Sequence, residues 1–438
     1  MSKSNSPVEN KIVGRDKITP RAVAVMAIAA AVYMIAALQR VSPPVVALDI
    51  GRSLQIGPDG LGLMFSTTFI AYALMQPLAG FGADRFGPKR CLLLSAALLT
   101  LASVWFGRAD SLASAASARA LVGLAAGFSF VPAVRLAANW LPERHFGMAS
   151  TLIVAASALS SFLAGSPLAY SAAAFGWRWS FVGLGLISAG LALVVWRAVA
   201  DRPEDYQPPA GTKAEAAGAD AARPGFWSAA RAVLSTPVFW LMSLVFCGTD
   251  VIYETFTGLW AGPYLMEVHG LSPADAGRML SVAAIGFLVG GPLLILLGDA
   301  IKSYTKVLIG LCLVNVAIAA FLVWGPAGAA PWLLYLLCLA APIGVHGTAL
   351  LFAVSRKFFP ERIIGSTLGF LNLMPFMFGA AMQGLIGRIL AAVQADPAVQ
   401  ALGAHVHYGL AFKPVFHWAI LSVAAAVWLH LKARPKFL

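Results

Sequence analysis

Charged residues are scarce in this sequence. Only 11% of its 438 residues are Asp, Glu, Lys or Arg, whereas 59% are hydrophobic and the mean hydropathy is +0.79. An ordinary soluble domain carries about 25% charged residues, so this composition excludes a soluble globular protein and indicates a chain that crosses a membrane many times. The apolar stretches are long rather than alternating, which favours transmembrane helices over a β-barrel.

Cysteines are few and enzyme motifs are missing. The sequence contains no G-x-S-x-G, no H-E-x-x-H and no Walker-type phosphate loop, and its loops are too short for a soluble catalytic domain. We therefore expect neither an enzyme nor an ATP-driven pump, and no metal or cofactor. The four cysteines form no C-x-x-C pair and suit small buried apolar residues better than metal ligands or disulfides. They are Cys91, Cys247, Cys312 and Cys338.

Basic residues outnumber acidic ones, 31 to 19, which gives a formal net charge of +12. They are spread over the loops rather than clustered on one face, which argues against nucleic-acid binding. With the N-terminus placed inside, most of them fall on the inner side, so the positive-inside rule predicts that both termini and the central linker are cytoplasmic. The first apolar stretch lacks a convincing cleavage site and is interpreted as a transmembrane helix.

Twelve apolar runs, six on each side of a polar gap, are long enough to span a membrane. The gap from Asp201 to Gly225 is rich in Pro, Ala, Gly and charge, which is typical of a flexible linker. Two six-helix halves joined in this way indicate an internal duplication. The predicted units are a tail at 1–20, an N-terminal bundle at 21–199, a linker at 200–235, a C-terminal bundle at 236–431 and a tail at 432–438.

Polar side chains inside the apolar runs are functional candidates, because a charge at membrane depth is costly and usually faces a cavity or a partner. Arg40 lies near the end of the first run, with Tyr33 seven residues earlier on the same helix face. Its guanidinium could grip an anionic substrate in a bidentate manner or extend to the outer interface. Tyr72 and Gln76 share a face of the second run and either line the cavity or bond between helices.

The seventh run carries Asp250, Tyr253 and Glu254 at i, i+3 and i+4, which puts two carboxyl groups and a phenol on one helix face. Burial and a neighbouring like charge both favour the protonated form of a carboxyl group, as a proton-coupling site requires. The alternative is a structural ion pair with Arg40 or another arginine.

Four more polar residues lie in later or neighbouring runs. His346 in the tenth run could carry a proton near neutral pH or serve as a hydrogen-bonded packing residue. Asn372 in the eleventh run is a further candidate for substrate binding. Arg119 and Arg135 lie towards opposite ends of the fourth run, and Arg135 could contact substrate or pair with an acid at the cytoplasmic end.

A short charged turn, G-F-G-A-D-R-F-G-P-K-R at residues 80–90, separates the second and third runs. It is either a plain hairpin with topogenic positive charge or a conformational latch in which Asp84 holds helix ends together. The turn resembles the signature of the major facilitator superfamily, roughly G-x-L-A-D-R-x-G-R-R, with Gly82 and Pro88 as departures. The matching residues are Gly80, Ala83, Asp84, Arg85, Gly87, Lys89 and Arg90.

Two further stretches strengthen this resemblance. Arg119 and Gly123 match the family pattern R-x-x-q-G, and residues 176–181 are similar to the G-W-R-W-x-F start of helix six. The resemblance implies an all-α membrane protein of twelve transmembrane helices in two pseudo-symmetric six-helix bundles that work by alternating access. It also implies that Asp84 helps to hold the inner ends together in the outward-open state. Implied gating residues are Gly80, Asp84, Arg85, Gly87, Arg90, Arg119 and Arg135.

Within the superfamily, the segments 40–44 and 72–77 resemble bacterial organic-anion and sugar-phosphate permeases, in which an arginine on helix one binds the substrate anion. That role carries over to Arg40. The same group often has an acid in a G-E-x-x-x-x-P-A segment of helix four, but residues 127–133 here read G-F-S-F-V-P-A. Asp250 or Glu254 would then have to carry the proton. Residues 256–265 are also similar to a broader set of nutrient carriers, including amino-acid transporters.

The sequence thus predicts proton-linked uptake of a small organic anion by a multi-pass carrier of the bacterial inner membrane. A coupling proton and the lipid bilayer are the other expected partners, and a monomer is expected. The alternatives are efflux of drugs or metabolites, and a sensor or assembly protein that does not transport. The predicted substrate-binding residues are Arg40, Tyr33, Tyr72, Gln76, Tyr253, His346 and Asn372.

Overall fold

The computed structural model describes residues 19–141, 143–203 and 226–433. Within these ranges the chain is helical and forms no β-strand, which confirms the predicted all-α class. Ten helical segments in the described ranges are long and apolar enough to cross a membrane, by length and composition. Large apolar side chains such as Phe175, Trp179 and Leu296 are exposed, although a soluble protein rarely leaves so much apolar surface uncovered. The predicted tails and linker lie largely outside the described residues.

Residues 19–141 and 143–203 form six long helical segments. The first helix ends at Val41, because Pro43 and Pro44 lack the N–H groups that would continue it. A short helix, Ala47–Leu54, follows. The long segments are α1 (Pro20–Val41), α2 (Pro58–Phe86), α3 (Pro88–Gly107), α4 (Leu112–Trp140, interrupted after Gly127), α5 (Glu143–Ala164) and α6 (Ser166–Ala198).

Residues 226–433 also form six long segments, and a short helix, Phe226–Leu234, precedes them. Two of the six are irregular near their centres. In the first, a π-helix spans Tyr253–Trp260, and in the fourth, a 3-10 turn spans Ala341–His346. The segments are α7 (Pro237–His269), α8 (Pro273–Ile301), α9 (Tyr304–Trp324), α10 (Pro331–Ser355), α11 (Glu361–Ala395) and α12 (Ala404–Ala433).

Two glycines with positive φ mark sharp changes of direction. Gly176 has φ 79°, so the segment Ser166–Ala198 is two helices that meet there, at the predicted start of helix six. Gly87 has φ 86° and begins α3. The carboxylate of Asp201 accepts the N–H of Lys89 at 2.7 Å and covers Gly87, so a side chain at position 87 would clash with it. Asp201, at the start of the predicted linker, therefore contacts the charged turn directly.

A seam between α2 and α11 joins the two halves of the chain. The helices run antiparallel, because Gly62 meets the backbone of Gln383 and Gln76 meets Asn372. Between these points, the hydroxyl of Ser66 donates to the Ala380 carbonyl at 2.7 Å. The seam is long enough to bring side chains of both halves to the middle of the molecule.

The halves also meet closely at the end that carries the α1–α2 connection. A Cβ atom at Gly262 of α7 would lie 1.7 Å from the Pro44 carbonyl oxygen, so only glycine allows this approach. Near α2, Gly387 of α11 packs on the backbone of Pro58. The backbone N–H of Ser166 donates to the hydroxyl of Ser281 at 2.8 Å. We predict that this closed end faces outside, and we call it the outer end.

Candidate functional site

Arg40 occupies the last turn of α1 and is buried, with 9% of its surface exposed. Its guanidinium carbon lies 4.7 Å from the ring centre of Tyr72 on α2 and 5.3 Å from that of Phe376 on α11. Within the described residues, this guanidinium forms no hydrogen bond, and its Nη1 is buried without a partner. Two aromatic faces thus hold a buried cation whose donors are available to an anion.

Two buried carboxyl groups lie on α7, where its α-helix passes into the π-helix. Asp250 and Glu254 are 3% and 2% exposed, and within the described residues Oδ1 of the first and Oε2 of the second have no hydrogen-bond partner. Glu254 is close enough to Arg40 and to Asp250 to interact with both electrostatically. No ion pair within 4.0 Å joins these described residues, so the site holds one cation and two acids without a direct salt bridge.

Helix α11 fixes the position of Glu254. The amide Nε2 of Gln383 donates to the Glu254 backbone carbonyl at 2.6 Å. One turn away, the Glu254 side chain lies against Gly379, where a Cβ atom would come within 2.7 Å of the Glu254 Cβ. On the other side, the amide of Asn315 donates to the carbonyls of Gly248 and Thr249, which precede the acids. The acidic segment is therefore held by α9 and α11.

Two tyrosines complete the surroundings of Arg40. Tyr33 of α1 accepts a hydrogen bond from the hydroxyl of Ser157 on α5 at 2.8 Å. Tyr253 of α7 is buried and packs on Phe287 of α8, with the ring centres 6.0 Å apart. Both phenols are near enough to interact electrostatically with Arg40. The structure thus brings together Arg40, Tyr33, Tyr72, Tyr253, Asp250 and Glu254.

The other three predicted binding residues have partners of their own. Asn372 Nδ2 donates to Gln76 Oε1 at 3.1 Å, so this pair bridges the two halves one turn from Phe376. His346 Nε2 donates to the Phe287 carbonyl at 2.6 Å, as expected of a hydrogen-bonded packing residue. Its ring packs on that of Phe287, which in turn packs on Tyr253.

The predicted gating residues do not share one location. The side chain of Asp84 and the surroundings of Gly80 lie outside the described part of the structure. The conformational latch at Asp84 therefore stays a prediction. Arg85, Arg90 and Arg135 line one cavity of about 350 Å³ beside Gly87 and Asp201, which puts the inner end of α4 at the charged turn.

Arg119 lies elsewhere, deep in the first half. It is 1% exposed, and its Nη1 donates to the Gln39 carbonyl at 2.9 Å while its Nε donates to the Thr68 hydroxyl at 3.2 Å. Its guanidinium also lies over the rings of Phe65 and Phe106. Arg119 therefore fixes the peptide that precedes Arg40.

Sequence reasoning missed the contribution of α11 beyond Asn372. Phe376, Gly379 and Gln383 follow it at intervals of four, three and four residues, so all four lie on one helix face. That spacing could have been read from the sequence. Which helix the face meets could not, because a phenylalanine and a glycine in an apolar run carry no sign of their neighbours.

Comparison with known proteins identifies relatives that move organic anions. The chain is 29% identical over 280 residues to the "Probable sulfoacetate transporter SauU" of Cupriavidus necator, a match that covers 62% of this chain and 64% of that protein. It is 25% identical over 372 residues to the "Hexuronate transporter" of Bacillus subtilis, covering 81% of this chain and 84% of the relative.

Solved structures of transporters share the fold. A bacterial homologue of the human lysosomal transporter Spinster, crystallised in an inward-facing and unoccupied conformation, has a TM-score of 0.74 at 19% identity and covers 96% of this chain and 100% of its own. A D-xylose-proton symporter has a TM-score of 0.68 at 14% identity, covering 94% and 99%. Residues 23–384 match the description of the Major Facilitator Superfamily. The chain therefore belongs to this superfamily of membrane transporters, as predicted, and is not an enzyme.

Proposed function

We propose that this transporter carries a small organic anion bound to Arg40. It works by alternating access to the two faces of the membrane, and transport is coupled to a proton. The observation that carries the proposal is the Arg40 guanidinium, which is buried, lies against two aromatic rings and makes no hydrogen bond within the described residues. A buried charge without a hydrogen-bonded counter-charge is strongly unfavourable. An anionic substrate would supply that counter-charge.

The two acids on α7 support coupling to a proton. When both Asp250 and Glu254 are ionised, their charge exceeds that of Arg40 and repels an incoming anion. Protonation of Glu254, which interacts electrostatically with Arg40, removes that repulsion and frees the guanidinium for substrate. Anion and proton would therefore bind together and leave together.

The substrates named for these relatives support an organic acid as the transported molecule. Sulfoacetate and hexuronate are both organic anions. The sulfoacetate relative is matched over less than two thirds of its length, so its substrate enters here only as support for the chemical class. We further propose a monomer in the bacterial inner membrane with both termini cytoplasmic, in keeping with the distribution of Lys and Arg.

Uptake by purified protein in liposomes tests this proposal. Radiolabelled sulfoacetate and glucuronate are offered at equal internal and external pH and then with an inward proton gradient. We expect the gradient to stimulate uptake by the wild type, and Arg40→Lys to abolish uptake because an ammonium cannot form the same bidentate contact. Arg52→Lys is the matched control, since Arg52 is exposed at the outer end and pairs with Asp49.

Gradient-stimulated uptake by Arg40→Lys at the wild-type rate would overturn the role of Arg40. Uptake at the same rate with and without the proton gradient would overturn the proposed coupling and would indicate a uniporter. Stabilisation of the wild type by these anions without any flux would instead indicate a sensor.

A further inference from the structure

The guanidinium of Arg40 sits in a corner formed by two aromatic rings from opposite halves of the protein. Tyr72 of α2 and Phe376 of α11 meet edge to face, with ring centres 4.8 Å apart and planes at 79°. Arg40 lies over both rings, at 4.7 and 5.3 Å. An anion can therefore approach only the edge of the guanidinium that the two rings leave uncovered.

Phe376 is held firmly in this corner. Its ring lies 6.5 Å from that of Phe69 in a stacked arrangement. The residue is 9% exposed, and its neighbours on α11 are fixed by Asn372 at one end and Gln383 at the other. A ring packed in this way cannot move aside for a longer ligand without opening the α2–α11 seam.

The side chains on this face of α11 become much smaller after Phe376. Gly379, one turn further on, leaves room for the Glu254 side chain. Along this face, a large ring therefore stands beside the cation and a glycine stands beside the acid. The bulk of Phe376 limits the space next to Arg40 on the α11 side.

We propose that Phe376 is a specificity-determining residue that sets the maximum length of the anion bound by Arg40. This inference rests on the proposed function, since it names the feature that selects among anions at the same site. The ring acts in two separable ways. Its volume stops the substrate chain, and its π face stabilises the guanidinium and so contributes to the affinity for every anion.

Substitutions at position 376 separate the two effects in liposomes containing the full chain. The probes are linear hydroxy acids of increasing length: glycolate, glycerate, threonate and gluconate. Phe376→Ala should shift the ratio of KM values for gluconate and glycolate about tenfold in favour of gluconate, because the lost ring leaves space. Phe376→Leu should keep the wild-type ratio of KM values. It should raise the KM for all four anions roughly 5- to 30-fold, because the cation–π contact is lost.

Phe376→Trp is a second steric test that does not create a cavity, and it should exclude gluconate and threonate while admitting glycolate. Phe378→Ala is the matched control on the same helix, since the Phe378 ring packs on Trp418 of α12 with centres 4.1 Å apart, whereas Arg40 lies over the rings of Tyr72 and Phe376. A thermal melt in detergent identifies any variant that has lost its fold.

The outcomes distinguish this inference from the proposed function. A wild type without Arg40-dependent uptake of any anion would overturn the proposed function itself. Arg40-dependent uptake with the same length preference in the wild type, Phe376→Ala and Phe376→Trp would overturn only the role of Phe376. A change in length preference in Phe376→Leu as large as that in Phe376→Ala would also contradict the steric account.

Discussion

Two buried arginines in the first half of this transporter show how one side chain serves two purposes. Arg119 and Arg40 both lie over pairs of aromatic rings, and both are almost fully buried. Arg119 makes two hydrogen bonds within the fold, to the Gln39 carbonyl and the Thr68 hydroxyl. Arg40 makes none within the described residues, although Glu254 lies within electrostatic range.

The difference lies in what satisfies each charge. Two donors of Arg119 bond within the protein, its Nη2 is buried without a partner in the described structure, and it faces no acid there, so we propose that Arg119 holds helices together. Arg40 makes no such bond within the described residues, and we propose that its partner is the substrate, because an acid that can be protonated is only a conditional partner. Burial and aromatic contacts alone would not separate the two, whereas the hydrogen-bond partners do.

The largest expected effect is a loss of transport on substitution of Arg40, in contrast to a loss of stability on substitution of Arg119. Arg40→Ala should lower transport by about 100-fold or more, because a buried charged hydrogen-bonding partner of the substrate is lost. Its melting temperature should stay close to that of the wild type or rise, since an unpaired buried charge is removed. Arg119→Ala should instead lower the free energy of unfolding by about 2–4 kcal/mol, because two buried acceptors lose a charged donor.

Melting curves in detergent and uptake in liposomes check this contrast. The comparison would collapse if Arg40→Ala were the less stable variant, or if Arg119→Ala kept wild-type stability and lost only transport.

The same contrast shows what could be read from the sequence. The family and the all-α fold were predicted, and Arg40, Asp250 and Glu254 were named as candidates because charges stand out against an apolar background. The placement of Arg119 and Arg135 towards opposite ends of α4 was also predicted, whereas the hydrogen-bond partners of Arg119 were not, because a family motif does not state which neighbours satisfy a side chain. The π-helix at Tyr253–Trp260 and the close approach of α2 to α11 also depend on packing that no local pattern encodes.

A second prediction concerns the two acids, which also differ in their partners. Glu254 is held by Gln383 and Gly379, whereas Asp250 lies a turn earlier, and both carboxyl groups interact electrostatically with Arg40. A gradient of one pH unit supplies about 1.4 kcal/mol per coupled proton, enough for about tenfold accumulation. Glu254→Gln should lose this accumulation and retain downhill exchange of labelled anion, whereas Asp250→Asn should lower the rate and keep the accumulation.

Paired measurements of gradient-driven uptake and of counterflow distinguish these cases. The assignment would be wrong if Glu254→Gln still accumulated substrate tenfold. It would have to be exchanged for Asp250 if only Asp250→Asn lost the gradient response.

A third prediction tests whether α11 holds the acid in place. Gly379→Ala puts a methyl group 2.7 Å from the Glu254 Cβ, and relief of such overpacking typically costs about 1–3 kcal/mol. We expect weaker coupling to the proton gradient and a lower melting temperature. Gly369→Ala is the matched control on the same helix, because its new methyl group would meet no atom within 4 Å. Equal behaviour of the two variants would argue against a role for α11 in positioning Glu254.

The smallest expected effect concerns the polar pair that joins the halves beside the aromatic corner. Gln76→Ala removes the hydrogen bond from Asn372, which is worth about 0.5–1.5 kcal/mol, and should shift the balance between the two access states by that amount. Asn372→Ala should shift it equally, and the double variant should shift it no further, because the two side chains act as one contact.

Labelling of a single cysteine introduced at the inner mouth, in a cysteine-free background, measures this balance. If the effects of the two single variants added in the double variant, each amide would have an independent role. The pair would then belong with Arg40, among groups whose partner is not the protein, and substrate contact by Gln76 or Asn372 would become the better explanation.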